Sequence, residues 1–473
     1  MRKIAVGLTG LAAVIVLAAG IGAVLLLKHN VPDQYDDIQE HFKYGSIGAE
    51  ARAGLPDRIW YVLPTVFADL LPPGPGQGYE RFGFIYEPGH RRPIGTSHRE
   101  VPIGMIGVNC AVCHVSTVRD APDAPPRIVL GMPANQFNLR AYVQFLRDAG
   151  RDPRFNADTL LEAIRADGGL PWLQSLVYRL FVIPRTEKAL EELDVDFSWM
   201  DRQPPWGPGR VDTFNPYKEL LGFDMARDDT VGTSDLPTIW NQGQREGMYL
   251  HWDGNNSSLS ERNKSAAIGA GASDDSLDVD SMERIERWIL DFPPPPFPPD
   301  QIDRVRAEMG ARLYARECAA CHDFGGARVG QVTPLPEIGT DRERVNSFTP
   351  DLVEKMNTIG EGKPWRFTHF RKTDGYANMP LDGVWLRAPY LHNGSVPTIR
   401  ALLFPGERPT TFYRGYDVYD YRNMGFVATG PDAERAGFRF DTSLRGNANG
   451  GHLYGTQLTR AEREAILEYL KTR

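Results

Sequence analysis

The chain has very little cysteine and no excess of basic residues. Its 473 residues include four cysteines, and all four fall in two copies of one pattern. No cysteine is therefore left for a disulfide framework or a separate thiol site. The formal net charge is −8, which excludes the basic footprint that nucleic-acid binding requires. We expect no nucleic-acid partner.

Both copies of the pattern are C-x-x-C-H, the attachment sequence of c-type haem. Two thiols at this spacing form thioethers with the vinyl groups on one porphyrin edge, and the adjacent imidazole binds the iron. A zinc half-site or a thioredoxin-like redox pair would leave the histidine after each pair unexplained. The sequence therefore predicts two covalently bound haem c groups, held by Cys110, Cys113 and His114 and by Cys318, Cys321 and His322.

Strong strand patterns are also lacking, whereas glycine and proline are abundant, with 47 and 37 residues. Such a composition favours short helices joined by long loops around cofactors. We predict a mainly α fold with two cytochrome c-like haem domains, preceded by one N-terminal transmembrane helix. Helical patterns cover 138–149, 159–166 and 187–193. Two further helices, one leading into Cys318 and one at the C-terminus, bury Ile302, Val305, Met309 and Leu313 in the first case and Ala465, Ile466, Leu467 and Leu470 in the second.

Only the N-terminus has a long uncharged run, from Ile4 to Leu27, which would span roughly 36 Å as a helix. Residues 1–28 therefore predict a signal anchor, with a cleaved signal peptide as the alternative. Arg2 and Lys3 would keep the N-terminus in the cytoplasm. We expect a single-pass inner-membrane protein whose haem domains lie in the periplasm, where haem c is attached.

A polyproline stretch at 292–300 predicts a stiff linker between the two haem patterns. The chain then divides into an irregular N-terminal extension, residues 29–100, a first haem c domain, residues 101–291, and a second cytochrome c domain, residues 301–473. The terminal helix would begin with a capping box of Thr459 and Glu462.

Three segments resemble the bacterial di-haem cytochrome c peroxidase superfamily. The first, Asp382–Thr398, contains Ala-Pro-Tyr-Leu-His-Asn-Gly. The second runs from Leu236–Asn241 to Trp252-Asp253-Gly254, and the third is Gly451–Gly455. The details of these segments, including Asn255-Asn256, are closest to the rubber-oxygenase-like di-haem branch of that superfamily.

The resemblance implies roles for several residues. Trp252 would lie between the two haems, and His452 would be the sixth ligand of the haem on His322. Met379, in a Met-Pro context, is the rival for that sixth position. His392 would support the second haem through hydrogen bonding. The resemblance also allows calcium between the domains.

The first haem is predicted to have an open sixth position, because no histidine follows His114 until His251. The alternative is that His251, or His90, His98 or Met105 from the N-terminal side, occupies that position. The position of the peroxidase distal glutamine holds Arg262, and the catalytic glutamate falls in the run Ser265–Ala272, which contains no acid. Since O–O cleavage benefits from a general acid/base, this departure argues against efficient peroxidase action. Arg262 or His251 would be the polar group beside bound O₂ or H₂O₂.

These features predict a membrane-anchored periplasmic di-haem oxidoreductase, either peroxidase-like or oxygenase-like. Electrons would pass between the haems, and a small redox protein would be the electron donor or acceptor. The alternative is a non-catalytic electron-transfer cytochrome in which both irons are six-coordinate.

Overall fold

A computed structural model describes residues 31–100 and 103–473. The fold is about 42% helical and 12% strand. The predicted mainly α class is therefore wrong: the fold combines helices with short antiparallel strand pairs. The described strands have two to five residues, too short to show the two-residue alternation on which strand prediction depends.

The helices are short and are distributed along the whole described chain. The α-helices span Ile38–Tyr44, Glu50–Ala53, Asp57–Val66, Ala111–His114, Leu139–Arg151, Ala157–Ala166, Trp172–Val177, Ile183–Asp196, Asn215–Leu220, Leu259–Gly269, Val279–Leu290, Arg304–Glu317, Ala319–His322, Leu335–Ile338, Glu343–Ser347, Pro350–Met356, Ile399–Leu403, Pro431–Ala436 and Arg460–Leu470. The strands span Val31–Pro32, Leu55–Pro56, Thr96–Glu100, Gly104–Val108, Val115–Val118, Arg127–Leu130, Arg210–Asp212, Thr233–Asp235, Val332–Pro334, Gly375–Ala377, Thr411–Arg414, Tyr419–Asp420, Gly425–Phe426 and Phe438–Asp441.

Antiparallel strands surround the first C-x-x-C-H pattern. A four-stranded sheet precedes it. The last strand of this sheet in the sequence, Gly104–Val108, lies inside the sheet and runs into the one-turn helix of the pattern. Strand Val115–Val118 leaves that helix and pairs with Arg127–Leu130. Residues 31–100, predicted to be irregular, instead contain three of the sheet strands and the ten-residue helix Asp57–Val66.

Most of the predicted helices are present. Helix Leu139–Arg151 begins after its N-cap Asn138, and Ala157–Ala166 covers the second predicted segment. The third is longer than predicted, because helix Trp172–Val177 continues through a π-helical turn into Ile183–Asp196. Its first part is apolar on its outer face as well, with Trp172 79% exposed, so no single apolar stripe marks it in the sequence.

The helix that leads into the second pattern packs closely against the terminal helix. A Cβ atom at Gly310 would lie 1.9 Å from the carbonyl oxygen of Ala465, so the crossing requires glycine. The predicted stripe is wrong for Val305 and Met309, which are exposed, whereas Ile302 and Leu313 pack partly buried against a core. The helix fully buries Ala307, Gly310 and Tyr314. The stripe and capping box predicted for the terminal helix are confirmed.

The Pro-rich segment packs against the second part of the chain. The indole of Trp385 donates to the carbonyl of Pro295, and Phe297 is buried against the Trp385 ring. One apolar core contains Val118 and Trp240 from before this segment together with Tyr314 from after it. The predicted domain boundaries stay a prediction, but the core continues across the segment.

No helix in residues 31–100 and 103–473 is long and apolar enough to cross a membrane. The predicted anchor, residues 1–28, lies outside the described residues. We therefore correct the single-pass inner-membrane placement, which the structure does not support.

Candidate functional site

The histidine of each C-x-x-C-H pattern is oriented by a backbone carbonyl. The Nδ1 atom of His114 donates to the carbonyl of Pro237 over 2.9 Å, and Nδ1 of His322 donates to that of Met379 over 2.7 Å. Since a carbonyl only accepts, Nδ1 carries the hydrogen and Nε2 keeps its lone pair. A hydrogen bond of this kind, at the ring nitrogen that does not bind the metal, sets the tautomer and the orientation of a metal-binding imidazole.

Burial keeps these imidazoles neutral and the thiols protonated. Burial, followed by the charge of Arg262, lowers the pKa of His114 to about 3, and burial also lowers the pKa of His322. The four cysteines form no disulfide. Burial raises the pKa of Cys110, Cys113 and Cys318 to about 12. Free thiols beside an oriented neutral imidazole are the donor set that haem c attachment requires.

The rings of His322 and His452 lie close together, at a spacing that matches two ligands of one iron atom. Their ring centroids lie 6.0 Å apart, with a tilt of 41°. A metal–imidazole bond is about 2.0 Å, and a ring nitrogen lies about 1.1 Å from its centroid, so two axial imidazoles have centroids about 6.2 Å apart. The residues present therefore fit a haem held on both faces by histidine.

The backbone holds His452 in place, and burial keeps it neutral. Its backbone has φ +48°, in the left-handed region, and its N–H donates to the carbonyl of Ile338 over 2.7 Å. Burial, and then the neighbouring His322, lowers the pKa of His452 to about 4. The rival ligand Met379 has its carbonyl at Nδ1 of His322, behind that ring from its Nε2 atom. This arrangement favours His452 over Met379.

At the first pattern, Arg262 lies near both His114 and His251. The charge of Arg262, after burial, depresses the pKa of both imidazoles, that of His251 to about 4. Burial, and then Arg245, lowers the pKa of Arg262 itself to about 10. Its guanidinium makes only a long bond, 3.5 Å, to the carbonyl of Thr238. The structure thus places the three predicted residues so that the charge of Arg262 acts on both imidazoles.

The apolar run that follows Arg262 packs against the same pattern. Ala267 and Ile268 are buried in a core that includes Ala111 and Val115. An open cleft of about 500 Å³ lies along the first part of this helix, and its lining includes Lys264 and Glu286. The charge of Glu286 reaches Cys110, where it adds to the effect of burial in raising the thiol pKa. One residue of the cleft is therefore within electrostatic reach of the first haem pattern.

Trp252 packs beside the second site. It follows His251 in the chain, and it packs against Ile338 and Tyr376. Its indole donates to the carbonyl of Asp235 over 2.8 Å. The carbonyl of Ile338 binds the backbone of His452, so Trp252 belongs to the surroundings of the second site, and its position between the two haems stays a prediction.

His392 supports Tyr376, a residue that the sequence analysis does not identify. The two rings stack with centroids 3.9 Å apart, and Nε2 of His392 lies 2.9 Å from the tyrosine oxygen. The tyrosine hydroxyl donates to the carbonyl of Asp341, so the imidazole is the donor in the second contact. His392 therefore acts on the second site through Tyr376, which packs against Trp252.

Three described residues have ligand atoms close enough together to hold a cation, but a lysine ammonium already pairs with both of their carboxylates. The potential ligand atoms of Glu40, Glu87 and His90 lie close together. The Lys43 ammonium is 2.6 Å from one carboxylate and 2.7 Å from the other. This cluster therefore gives no support to a calcium site, and calcium remains a prediction.

Residues 375–413 match the protein family described as RoxA-like, cytochrome c-like. Two proteins of Sinorhizobium fredii (strain NBRC 101917 / NGR234) are similar over longer stretches. Uncharacterized protein y4iJ is 25% identical over 537 residues, which cover 86% of this chain and 87% of the relative. Uncharacterized protein y4iM is 30% identical over 285 residues, which cover 51% of this chain and 64% of the relative.

The matched segment surrounds the second C-x-x-C-H pattern. It includes Met379, whose carbonyl orients His322, and the stacked pair of Tyr376 and His392. The match indicates haem c and a haem-containing oxidoreductase. It also supports the resemblance to the rubber-oxygenase-like branch, whereas the wider peroxidase superfamily stays a prediction.

Glu261 anchors the helix that carries Arg262 through hydrogen bonds. These bonds predict that the free energy of unfolding decreases in acid. Burial raises the pKa of Glu261, but hydrogen bonds from His369, the Thr368 backbone and Asn256 outweigh it and bring the pKa below its ordinary value. The stabilisation is therefore fully present above the ordinary glutamate pKa and is lost as the pH falls through the lower folded pKa.

We expect Glu261→Gln to lower the free energy of unfolding at pH 7 by about 1–3 kcal/mol, because the buried carboxylate loses charge-assisted bonds. The deficit should shrink as the pH falls below about 4.5. Denaturant unfolding of both proteins at a series of pH values measures it. Glu283→Gln, which removes only an exposed partner of Arg287, is the matched control and should show no such trend; a pH-independent deficit in Glu261→Gln would contradict the assignment.

Proposed function

We propose that the protein is a di-haem oxidoreductase in which the haem on His114 reacts with O₂ or H₂O₂ and the haem on His322 passes electrons. The haems supply redox-active iron when bound. The difference between the two sites carries the proposal: His452 faces His322 at the spacing of two axial ligands. No comparable ring pair is found for His114 in the described part of the chain.

The surrounding residues have distinct tasks in this proposal. His452 and His322 hold the second iron on both faces, so that it remains an electron relay. Trp252, which packs beside the second site and follows His251 in the chain, couples the two haems. At the first site, apolar residues limit water, while Arg262 and His251 provide the polar groups. A small redox protein delivers or removes electrons.

The test is carbon monoxide binding to the reduced protein. We expect CO to shift the Soret band of one haem of two, because only the haem on His114 has a free position. The double variant Cys110→Ala/Cys113→Ala should lose that shift and one haem equivalent in a pyridine haemochrome assay. The matched variant Cys318→Ala/Cys321→Ala should lose one equivalent but keep the shift.

A spectrum unchanged by CO would overturn the proposal. It would favour the alternative, a non-catalytic electron-transfer cytochrome with two six-coordinate irons. If CO does bind, O₂ consumption with an alkene would support an oxygenase, and peroxide reduction with a reduced cytochrome would support a peroxidase.

A further inference from the structure

One helical element has an apolar surface that no other part of the described chain covers. It begins with helix Trp172–Val177 and continues through the π-helical turn Tyr178–Val182 into helix Ile183–Asp196. Single exposed apolar residues are normal on a protein surface, but a contiguous group of them marks a site of interaction. We name the six exposed apolar residues of this element the outer patch: Trp172, Leu173, Leu176, Val177, Leu180 and Phe181.

The spacing of the outer patch places its members side by side. Residues four apart lie on the same face of a helix, so the patch forms two adjacent rows, one that begins at Trp172 and one that begins at Leu173. The two aromatic side chains are the most exposed, Trp172 by 79% and Phe181 by 67%. The rows therefore form one continuous apolar face, with Leu176 and Val177 at its middle.

The opposite side of the same element is already buried. Tyr178, Ile183 and Leu190 belong to a core that also contains Leu160 and Ile164 of helix Ala157–Ala166. The outer patch is therefore separate from the stripe that holds the element to its own chain. A helix that is apolar on both sides is normally buried on both sides, so we expect the outer patch to be covered by something beyond the described chain.

The area of the outer patch is close to what a stable pair of subunits needs. If a fully exposed residue of this size has ~150–250 Å² of surface, the six exposed fractions leave roughly 700 Å². A standard protein–protein interface buries about 800 Å² on each partner. Two copies joined by this face would thus bury nearly the area of a standard interface.

The charges around the outer patch favour a protein over a lipid surface. Helices that lie on membranes have Lys and Arg on their polar side, which anionic headgroups attract. Helix Ile183–Asp196 instead has two basic and five acidic residues, and the whole chain has a formal net charge of −8. Arg179, beside the patch, lies 2.7 Å from Asp158 of its own chain. No member of the patch is charged, so two copies can meet there without like charges facing each other.

We propose that the outer patch is the interface of a homodimer in which two copies of this chain pack patch against patch about a two-fold axis. Such an interface uses the same surface on both subunits, and Leu176 and Val177 lie closest to the axis. The buried side of the element shares its core with Val112 of the first C-x-x-C-H pattern. The dimer therefore joins the two copies through the part of the chain that contains the first pattern.

Light scattering of the holoprotein after size-exclusion chromatography tests the dimer. We expect a mass of about twice the 52.9 kDa of one chain. Leu176→Glu should raise the dimer dissociation constant by at least about 10²-fold, because the two-fold axis brings two carboxylates together in a buried apolar contact. Val305→Glu is the matched control, since Val305 is 72% exposed on another helix, and it should change the constant by less than about 3-fold.

A mixing experiment makes the test specific to two-fold pairing. Leu176→Lys alone should be monomeric for the same reason as Leu176→Glu. An equimolar mixture of the two variants should dimerise, because each carboxylate then meets an ammonium group. Both variants should keep the haem content and the circular dichroism of the unmodified protein, which shows that they fold.

Several results would overturn the inference. A monomeric unmodified protein, a dimer that Leu176→Glu leaves intact, or a mixture that stays monomeric would each do so. A photo-cross-link from Leu176→p-benzoylphenylalanine to residues 4–27 of the same chain would show that this segment covers the patch instead. Binding of a monomer to phosphatidylcholine–phosphatidylglycerol vesicles, lost in Leu176→Glu, would assign the outer patch to a lipid surface.

Discussion

Replacing His452 by alanine is expected to convert the haem on His322 from low spin to high spin. His452 is the second of two imidazoles whose centroids lie 6.0 Å apart, and alanine has no atom that could bind the iron. Loss of a strong axial ligand opens the sixth position. Electron paramagnetic resonance and the Soret band should therefore show about half of the total haem changing state, and CO should then bind both haems.

Three variants make this expectation specific. Added imidazole should restore the low-spin spectrum of His452→Ala, because it can occupy the space of the missing ring. Met379→Leu should leave both haem spectra unchanged, since only the Met379 carbonyl contacts His322. His369→Ala should be equally silent. A high-spin conversion in Met379→Leu, or none in His452→Ala, would assign the sixth position to Met379.

The sequence predicts those elements of the fold whose signals are local. Asn138 and the Thr459–Glu462 capping box mark helix starts that the structure confirms. The short strands are set by pairing partners distant in sequence, so they have no local pattern. The stripe predicted before Cys318 is wrong at two positions, because the buried face of that helix is centred on Gly310. This glycine allows the close helix crossing but has no apolar side chain that would indicate the face in the sequence.

In the candidate site, too, the sequence predicts some residues and not others. Attachment residues follow from spacing alone, and the resemblance indicates Trp252 and His452. The residues that orient them are less visible, because their partners are remote: Arg344 reaches Asp253 and Tyr376 reaches His392 only in the folded chain. Asn255 is present in the resembling segment, but only the structure shows that its amide oxygen contacts His251 and its amide nitrogen donates to Asp253.

The buried ion pair of Arg344 and Asp253, whose side chains are both only 2% exposed, predicts the largest loss of stability. Arg344→Met should lower the free energy of unfolding by about 3–5 kcal/mol, because it leaves the Asp253 carboxylate buried without its cation. Denaturant unfolding of the holoprotein measures the loss. Arg435→Met removes a partner of Asp432 from a pair whose side chains are 75% and 45% exposed, so it should cost no more than about 0.5 kcal/mol.

A double-mutant cycle separates the charge from the packing in this prediction. Adding Asp253→Asn to Arg344→Met removes the unpaired charge, so the double variant should be more stable than the sum of the two single losses implies. Denaturant unfolding of the four proteins measures this coupling. A double variant whose loss equals the sum of the two single losses would contradict the assignment to the unpaired charge.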